Sequence, residues 1–242
     1  MKNNILEGIS YENNDFIFNF NNDKSTDIVN LKFQSYNKLF STKNGEKVFY
    51  AYKINKEVDP KIVSIIKNSI KQLEHEPEIN LMINKSIIGL DSLYPISKFD
   101  LIISPKSSSN LNLIITKKLK DKAGINTILA NDVIIKNLAD NIQVDYSKIK
   151  DESLKNRIIQ LINMPSGFKI QNVPPRYRSA ISNYLKFKDD TSRNIFNTIQ
   201  QGNVLLIDDI LTSGNTLLEM TNLIKSFGAN DIYCYIFLST KK

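Results

Sequence analysis

Two adjacent carboxylates, Asp208 and Asp209, follow the apolar run Val204-Leu205-Leu206-Ile207. Close behind them comes a short stretch of hydroxyls around one glycine, Thr212-Ser213-Gly214-Asn215-Thr216. Leu217, Met220, Ile224 and Phe227 then recur at helical spacing. The order is therefore strand, acidic pair, turn, helix. A helix N-terminus offers unbonded N–H groups and partial positive charge, which suits a phosphate. Gly214 lets the backbone turn and approach closely, and the hydroxyls of Thr212, Ser213 and Thr216 add donors. Each hydrogen bond to a charged phosphate contributes about 1.5–3 kcal/mol. The carboxylates repel a bare phosphate, so their partners are sugar hydroxyls, Mg²⁺ or a developing cation. A phosphorylated ribose satisfies both halves, with its phosphate in the turn and its 2′- and 3′-hydroxyls on the acids. Thr216-x-x-Glu219 also has the spacing of a capping box. That spacing explains a helix start, but not the acids, hydroxyls and glycine together.

The elements that must position this turn read as follows. Residues 9–20, with Phe16, Phe18 and Phe20 alternating, and residues 47–54 read as strands. Asp59 and Pro60 open a helix whose apolar face is Ile62, Ile65, Ile66, Ile70 and Leu73, and Pro77 stops it. From Phe99 the grammar changes. A short apolar strand, Phe99-Asp100-Leu101-Ile102-Ile103-Ser104, leads through a polar turn, Pro105-Lys106-Ser107-Ser108-Ser109. An amphipathic helix over residues 110–123 follows, with Gly124 as its C′ residue. Residues 126–130 and 133–136 read as strands and residues 147–163 as a helix. Residues 164–190 carry basic and aromatic side chains without a periodic signal. The final helix runs to Phe227 with Gly228 as C′, and residues 232–238 form a last strand. Strand–helix–strand spacing predicts an α/β fold with a doubly wound parallel sheet. Ligands of such sheets bind at the carboxyl ends of strands.

Composition narrows the chemistry. At 242 residues and 41% hydrophobic, the chain can bury a substantial core. No apolar run approaches the roughly 20 residues of a membrane helix, and the start lacks the apolar stretch of a signal peptide. A protein made and kept in a cytoplasm, with no membrane partner, is the expectation. Cys234 is the only cysteine and His75 the only histidine, which excludes an intrachain disulfide, a cysteine zinc site and a multi-histidine metal site. Catalysis would have to run on carboxylates, hydroxyls, Lys, Arg, backbone amides and an oxygen-held cation. The formal charge of +7 suits polyanions, whether nucleic acid or small phosphates.

Residues 204–216 resemble the signature with which type I phosphoribosyltransferases bind 5-phosphoribosyl-1-pyrophosphate (PRPP). That signature is an apolar strand, two acids, two mostly aliphatic residues, and a Thr/Ser-rich turn with Gly and a closing Thr or Ser. The resemblance is specific over this stretch and weaker across residues 99–238. The run IDDILTSGNTL and the helix end Phe227-Gly228-Ala229 are similar to the ComF-like branch. Members of that branch carry an N-terminal cysteine zinc ribbon, which one cysteine cannot build. The resemblance implies a phosphoribosyltransferase core over residues 99–242, with residues 1–98 as a β-rich and helical addition, or hood. It implies PRPP and Mg²⁺, with transfer of phosphoribose to a nitrogenous acceptor and release of pyrophosphate. Asp208 and Asp209 would act as catalytic residues, on the ribose and on Mg²⁺, directly or through bound water. Thr212, Ser213, Gly214, Asn215 and Thr216 would hold the PRPP phosphate. Lys106, Ser107 and Ser108, with Ser109, would take the pyrophosphate, and Ser104-Pro105 offers a site for a cis peptide, with trans the base expectation. A closing basic loop is expected among Lys169, Arg176, Arg178, Lys186 and Arg193, with charge concentrated at Arg176 and Arg178. A homo-oligomer and nucleic acid are compatible with this reading and required by neither half of it. Two other functions fit the same residues: a PRPP- or nucleotide-sensing regulator, and a nucleic-acid-associated protein that keeps the fold as a scaffold.

Overall fold

Three runs, Leu101–Pro105, Asn203–Leu211 and Asp231–Ser239, are apolar with little alternation. Such runs fit strands covered on both faces, as in a parallel sheet with helices on either side. The computed structural model describes residues 8–12, 15–19, 40–41, 47–53, 76–106, 111–165, 167–211, 214–229 and 231–239. In chain order its elements are β1 (Gly8–Glu12), β2 (Asp15–Asn19), β3 (Phe40–Ser41), β4 (Lys47–Lys53), α1 (Glu76–Leu93), β5 (Leu101–Pro105), α2 (Leu111–Lys120) and β6 (Ile128–Lys136). There follow β7 (Gln143–Val144), α3 (Glu152–Ile162), β8 (Ile181–Ser182), β9 (Leu185–Phe187), α4 (Arg193–Gln201), β10 (Asn203–Leu211), α5 (Asn215–Ser226) and β11 (Asp231–Ser239).

The central sheet has the order β3-β4-β11-β10-β5-β6-β9. Its five inner strands are parallel, and β3 and β9 pair antiparallel at the edges. On one face α1 and α2 pack Met82, Ile83, Ile87, Leu111, Ile115 and Leu119 against Leu205, Ile207, Tyr233 and Tyr235. On the other, α4 and α5 pack Ile195, Ile199, Leu217, Met220 and Ile224 against Val204, Leu206, Cys234 and Ile236. The fold is α/β with a mostly parallel, doubly wound sheet, as the spacing of the elements predicts.

Several elements differ from the sequence reading, each for a local reason. Pro77 lies in the first turn of α1, where its missing N–H has no intrahelical acceptor to lose. The helix expected over residues 59–73 lies outside the described residues. The strand anticipated at 126–130 and that at 133–136 are one strand, β6, interrupted by a bulge. Ser104 pairs with Asn131 but Pro105 with Ile134, and Asp132 takes φ 56°. α2 ends at Lys120, and Gly124 is not left-handed but packs under the Ser97 carbonyl, where a Cβ would sit 2.8 Å away. The helix foreseen at 147–163 starts only at Glu152, because Asp151 accepts the Leu154 N–H and fixes the start there. α4 was not foreseen.

Residue 99 does not mark an edge of the sheet. β4 pairs with β11, and α1 shares a core with Phe49 and Tyr235, so both elements are built into the same layers as the later strands. β1 and β2 form a separate antiparallel hairpin. Between β6 and β10 a further small core forms from Ile149, Ile158, Ile162, Phe168, Val173, Ala180, Ile181 and Tyr184.

Candidate functional site

Sheet topology sets the location. After β5 the chain moves to β6 on one side, and after β10 it moves to β11 on the other. The order reverses between β5 and β10, and in open α/β sheets ligands bind at the carboxyl ends of the strands flanking such a reversal. β10 pairs with β11 as far as Leu211 opposite Ser239. With β5 it pairs only from Val204 to Leu206. Asp208 and Asp209 lie just beyond that last β5 pair.

The acids are inside β10 and not at its exit as expected, because pairing with β11 carries the strand two residues further. Successive strand residues point to opposite faces. Val204 and Leu206 face α4 and α5, and Leu205 and Ile207 face α1 and α2. Asp208 therefore lies on the α5 face and Asp209 on the α2 face. Both are nearly buried, at 8% and 4% exposure. Asp208 Oδ1 accepts the Asp209 N–H at 3.0 Å.

On the Asp208 face, Gly214 occupies the N-cap of α5 with φ 81°, a left-handed conformation that glycine takes without strain. It has no side chain with which to cap the helix. The first helical bond runs from the Leu218 N–H to the Gly214 carbonyl, 2.9 Å, and Asn215 and Thr216 are half-buried in the first turn. Glu219 does not close a capping box. Its Oε1 accepts the Tyr184 N–H at 3.1 Å, and the N–H groups of Asn183 and Leu185 also point to its carboxylate. Burial nevertheless pushes the Glu219 carboxyl above its usual range, and the three N–H donors act against that shift.

Tyr184 is the residue the sequence did not announce. It is 4% exposed and its hydroxyl has no hydrogen-bond partner among the described residues. The hydroxyl comes up beside Thr216 without closing a normal hydrogen bond, and Glu219, Asp208 and Arg178 lie within electrostatic reach. Burial first, and then the Glu219 carboxylate, hold the phenol strongly protonated. The tyrosine sits between Asn183 and Leu185 in a stretch with no apolar period, so no pattern points to it.

On the Asp209 face, α2 starts beyond the β5 turn. Asn112, in its first turn, is buried with both side-chain amide atoms unpartnered. Lys106 is exposed at the end of β5, its N–H held by the Ile134 carbonyl at 2.9 Å. Among the described residues no peptide bond is cis, Ser104-Pro105 included. Ser104 donates to Asn131 Oδ1 at 2.9 Å. Ser107, Ser108, Thr212 and Ser213 lie outside the described residues.

The expected closing cations separate. Arg178 Nε donates to the Val173 carbonyl at 2.8 Å and also stands near Tyr184, which brings it toward Asp208 and Thr216. Arg176 is exposed and stacks over the Tyr177 ring at 4.6 Å. Lys186 is paired with Asp189 at 2.9 Å. Lys169 stands near Lys136, whose ammonium is pushed down by burial and then by that like charge. Arg193 opens α4, exposed to solvent.

Among the described residues no group of three or more His, Cys, Asp or Glu could hold a metal by itself, and no helix is long and apolar enough to cross a membrane. No curated protein matches the chain. Among solved structures, a purine phosphoribosyltransferase from Pyrococcus horikoshii Ot3 is similar at 15% identity, covering 66% of this chain and 84% of that one, with a TM-score of 0.34. The family model described as phosphoribosyl transferase domain matches residues 168–242. That segment contains Tyr184, the acidic pair and the start of α5, and over it the chain is similar to the phosphoribosyl transferase domain.

Proposed function

We propose that the crevice between β5 and β10 binds PRPP together with Mg²⁺, and that the chain transfers the phosphoribosyl group to a nitrogenous acceptor and releases pyrophosphate. The observation that carries this reading is the placement of Asp208 and Asp209. They stand just past the point where β5 leaves β10, one on each face, and the next helix opens at a left-handed glycine. The amides and the Thr216 hydroxyl at that helix start are donors suited to a phosphate monoester. Lys106, exposed at the end of β5, would attract the leaving pyrophosphate, and Arg178, which shares the neighbourhood of Tyr184 with Asp208, would be the closing cation.

The acids fit Mg²⁺ in a particular way. Mg²⁺ is held by one or two carboxylates with substrate oxygens and water, not by a dedicated protein cage. Two acids that join no group of three or more His, Cys, Asp or Glu among the described residues match that donor set. When bound, Mg²⁺ would neutralise charge on the leaving pyrophosphate. The chain's own contribution is electrostatic. Bond cleavage at the anomeric carbon creates a cation-like ring, comparable to glycoside cleavage. Asp208 and Asp209, fixed in a buried strand, present negative charge that needs no reorganisation when that ring forms.

Calorimetric titration with PRPP, with and without Mg²⁺, tests the reading, followed by pyrophosphate release with a panel of bases. Binding that needs Mg²⁺ supports it, and no binding in either condition ends it. Binding without pyrophosphate release from any acceptor leaves a PRPP-sensing module on the same fold. Asp209→Asn keeps the shape of the side chain and should lower turnover by on the order of a hundredfold or more, with an unchanged melting temperature. Wild-type turnover in that variant would remove Asp209 from the mechanism.

A further inference from the structure

Among the described residues, the buried side-chain polar atoms that lack a hydrogen-bond partner belong to Asn112, Tyr184 and Thr191. Native proteins pair nearly all such atoms, so each orphan calls for a reason. Tyr184 is the one shown beside the start of α5. Its ring has a packing role: it meets Phe168 edge-on at 5.9 Å and belongs to the small core between β6 and β10. A phenylalanine would do that equally well. The hydroxyl adds nothing to the packing and would be a net cost if it stayed unpaired.

What surrounds the hydroxyl defines the missing partner. The Thr216 hydroxyl is a donor, and Arg178 is a cation. A protonated phenol among them is a further donor. The two nearby carboxylates are already engaged: Glu219 by the backbone N–H groups of residues 183–185, and Asp208 by the Asp209 N–H. The complement of several converging donors is an anionic acceptor. The backbone of the same residue is fixed to α5 through Glu219, so the hydroxyl is held in place before any ligand arrives.

We infer that Tyr184 donates its hydroxyl to the phosphate monoester of the ligand seated at the start of α5, and thereby joins that ligand to the segment between β6 and β10. The inference rests on the proposed function, since it takes a sugar phosphate to be the occupant. It goes further by giving a residue from outside the 204–216 signature a direct contact with the phosphate, and by making the 137–187 segment part of the binding site.

The test uses the full chain and two probes, ribose 5-phosphate and PRPP. Tyr184→Phe should weaken ribose 5-phosphate binding about tenfold or more and raise KM for PRPP with kcat nearly unchanged, at an unaltered melting temperature. Wild-type affinity and KM in that variant overturn the inference and leave the proposed function standing. Absence of ribose 5-phosphate and PRPP binding in the unaltered chain overturns both. Should Tyr184→Phe fold poorly, 3-fluorotyrosine placed at position 184 alone gives a second reading. Its fluorine resonance should shift on saturation with ribose 5-phosphate, and an unmoved resonance under saturation overturns the contact.

Discussion

Two regions meet at Tyr184, and they are held together by different means. β10 lies in the middle of the sheet with helices on both faces and α5 packs on one of them, so that Leu205, Leu206, Ile207, Met220 and Ile224 are fully buried. The segment from residue 137 to 187 has one helix, two-residue strands β7 and β8, several 3-10 turns and a small core of its own. β10 is tied to β11 by a long parallel ladder and to β5 by three pairs, whereas β7 and β8 share only two residue pairs and β9 meets the sheet through three pairs with β6 alone. Regions with few ladder bonds and a small core open locally at lower free energy than a central sheet. The acids and the helix start belong to the more strongly tied region, and Tyr184 and Arg178 belong to the more weakly tied one.

The comparison breaks or holds on a pair of cavities. Met220→Ala removes a fully buried side chain under the central sheet, and Ile158→Ala removes one from the smaller core. Each deletion costs about 2–5 kcal/mol where it acts. Met220→Ala should appear in full in global denaturant unfolding. Ile158→Ala should appear mainly as faster amide exchange within residues 137–187, with β10 and β11 protected as before. Equal loss of β10 and β11 protection in both variants would make the two regions one cooperative unit.

A finer version uses two glycines in left-handed conformations. Gly228 (φ 93°) ends α5, and Gly167 (φ 79°) lies in the loop after α3. A Cβ at Gly167 meets nothing within 4 Å, and one at Gly228 touches only the Gln200 side chain, at 3.5 Å. Backbone strain of about 1–2 kcal/mol is thus the main cost of alanine at either site. Gly228→Ala should lower the global melting temperature, and Gly167→Ala should change little beyond exchange rates near residues 164–173. The reverse pattern would place the weaker coupling in the sheet.

What the sequence disclosed follows the same divide. In β10 and α5 each residue's task is set by neighbours a few positions away. Apolar residues run into the acids, Gly214 turns the chain, Leu217, Met220 and Ile224 recur at helical spacing, and Gly228 ends the helix as expected. Between β6 and β10 the tasks are set across the chain. Tyr184 is buried because Phe168 and α5 cover it, and Asn183 takes φ 57° at a corner held by Glu219. No window of sequence contains those partners. The same reason hides β4 and α1 as parts of the core: their register against β11 and their packing on Tyr235 are long-range facts. Spacing alone does not fix the role of Glu219, since a capping box and a long-range clamp share the same Thr-x-x-Glu pattern.

That clamp gives the smallest effect and a direct reading of how the two regions are joined. Burial raises the folded Glu219 carboxyl above its ordinary value of 4.5, and the backbone donors of residues 183–185 offset part of the penalty. The folded chain therefore binds this proton more tightly than the unfolded chain. Between the unfolded value and the raised folded one, stability falls as pH rises. Glu219→Gln mimics the protonated side chain and does not titrate. From about pH 4 to about pH 7, the stability difference between wild type and Glu219→Gln should move in favour of the variant, as read from denaturation of both. Movement in favour of the wild type would mean that the N–H donors outweigh burial. The contact between α5 and the Tyr184 corner would then be a strong charge-assisted clamp, and the 137–187 segment would be tied to α5 more firmly than its own small core suggests.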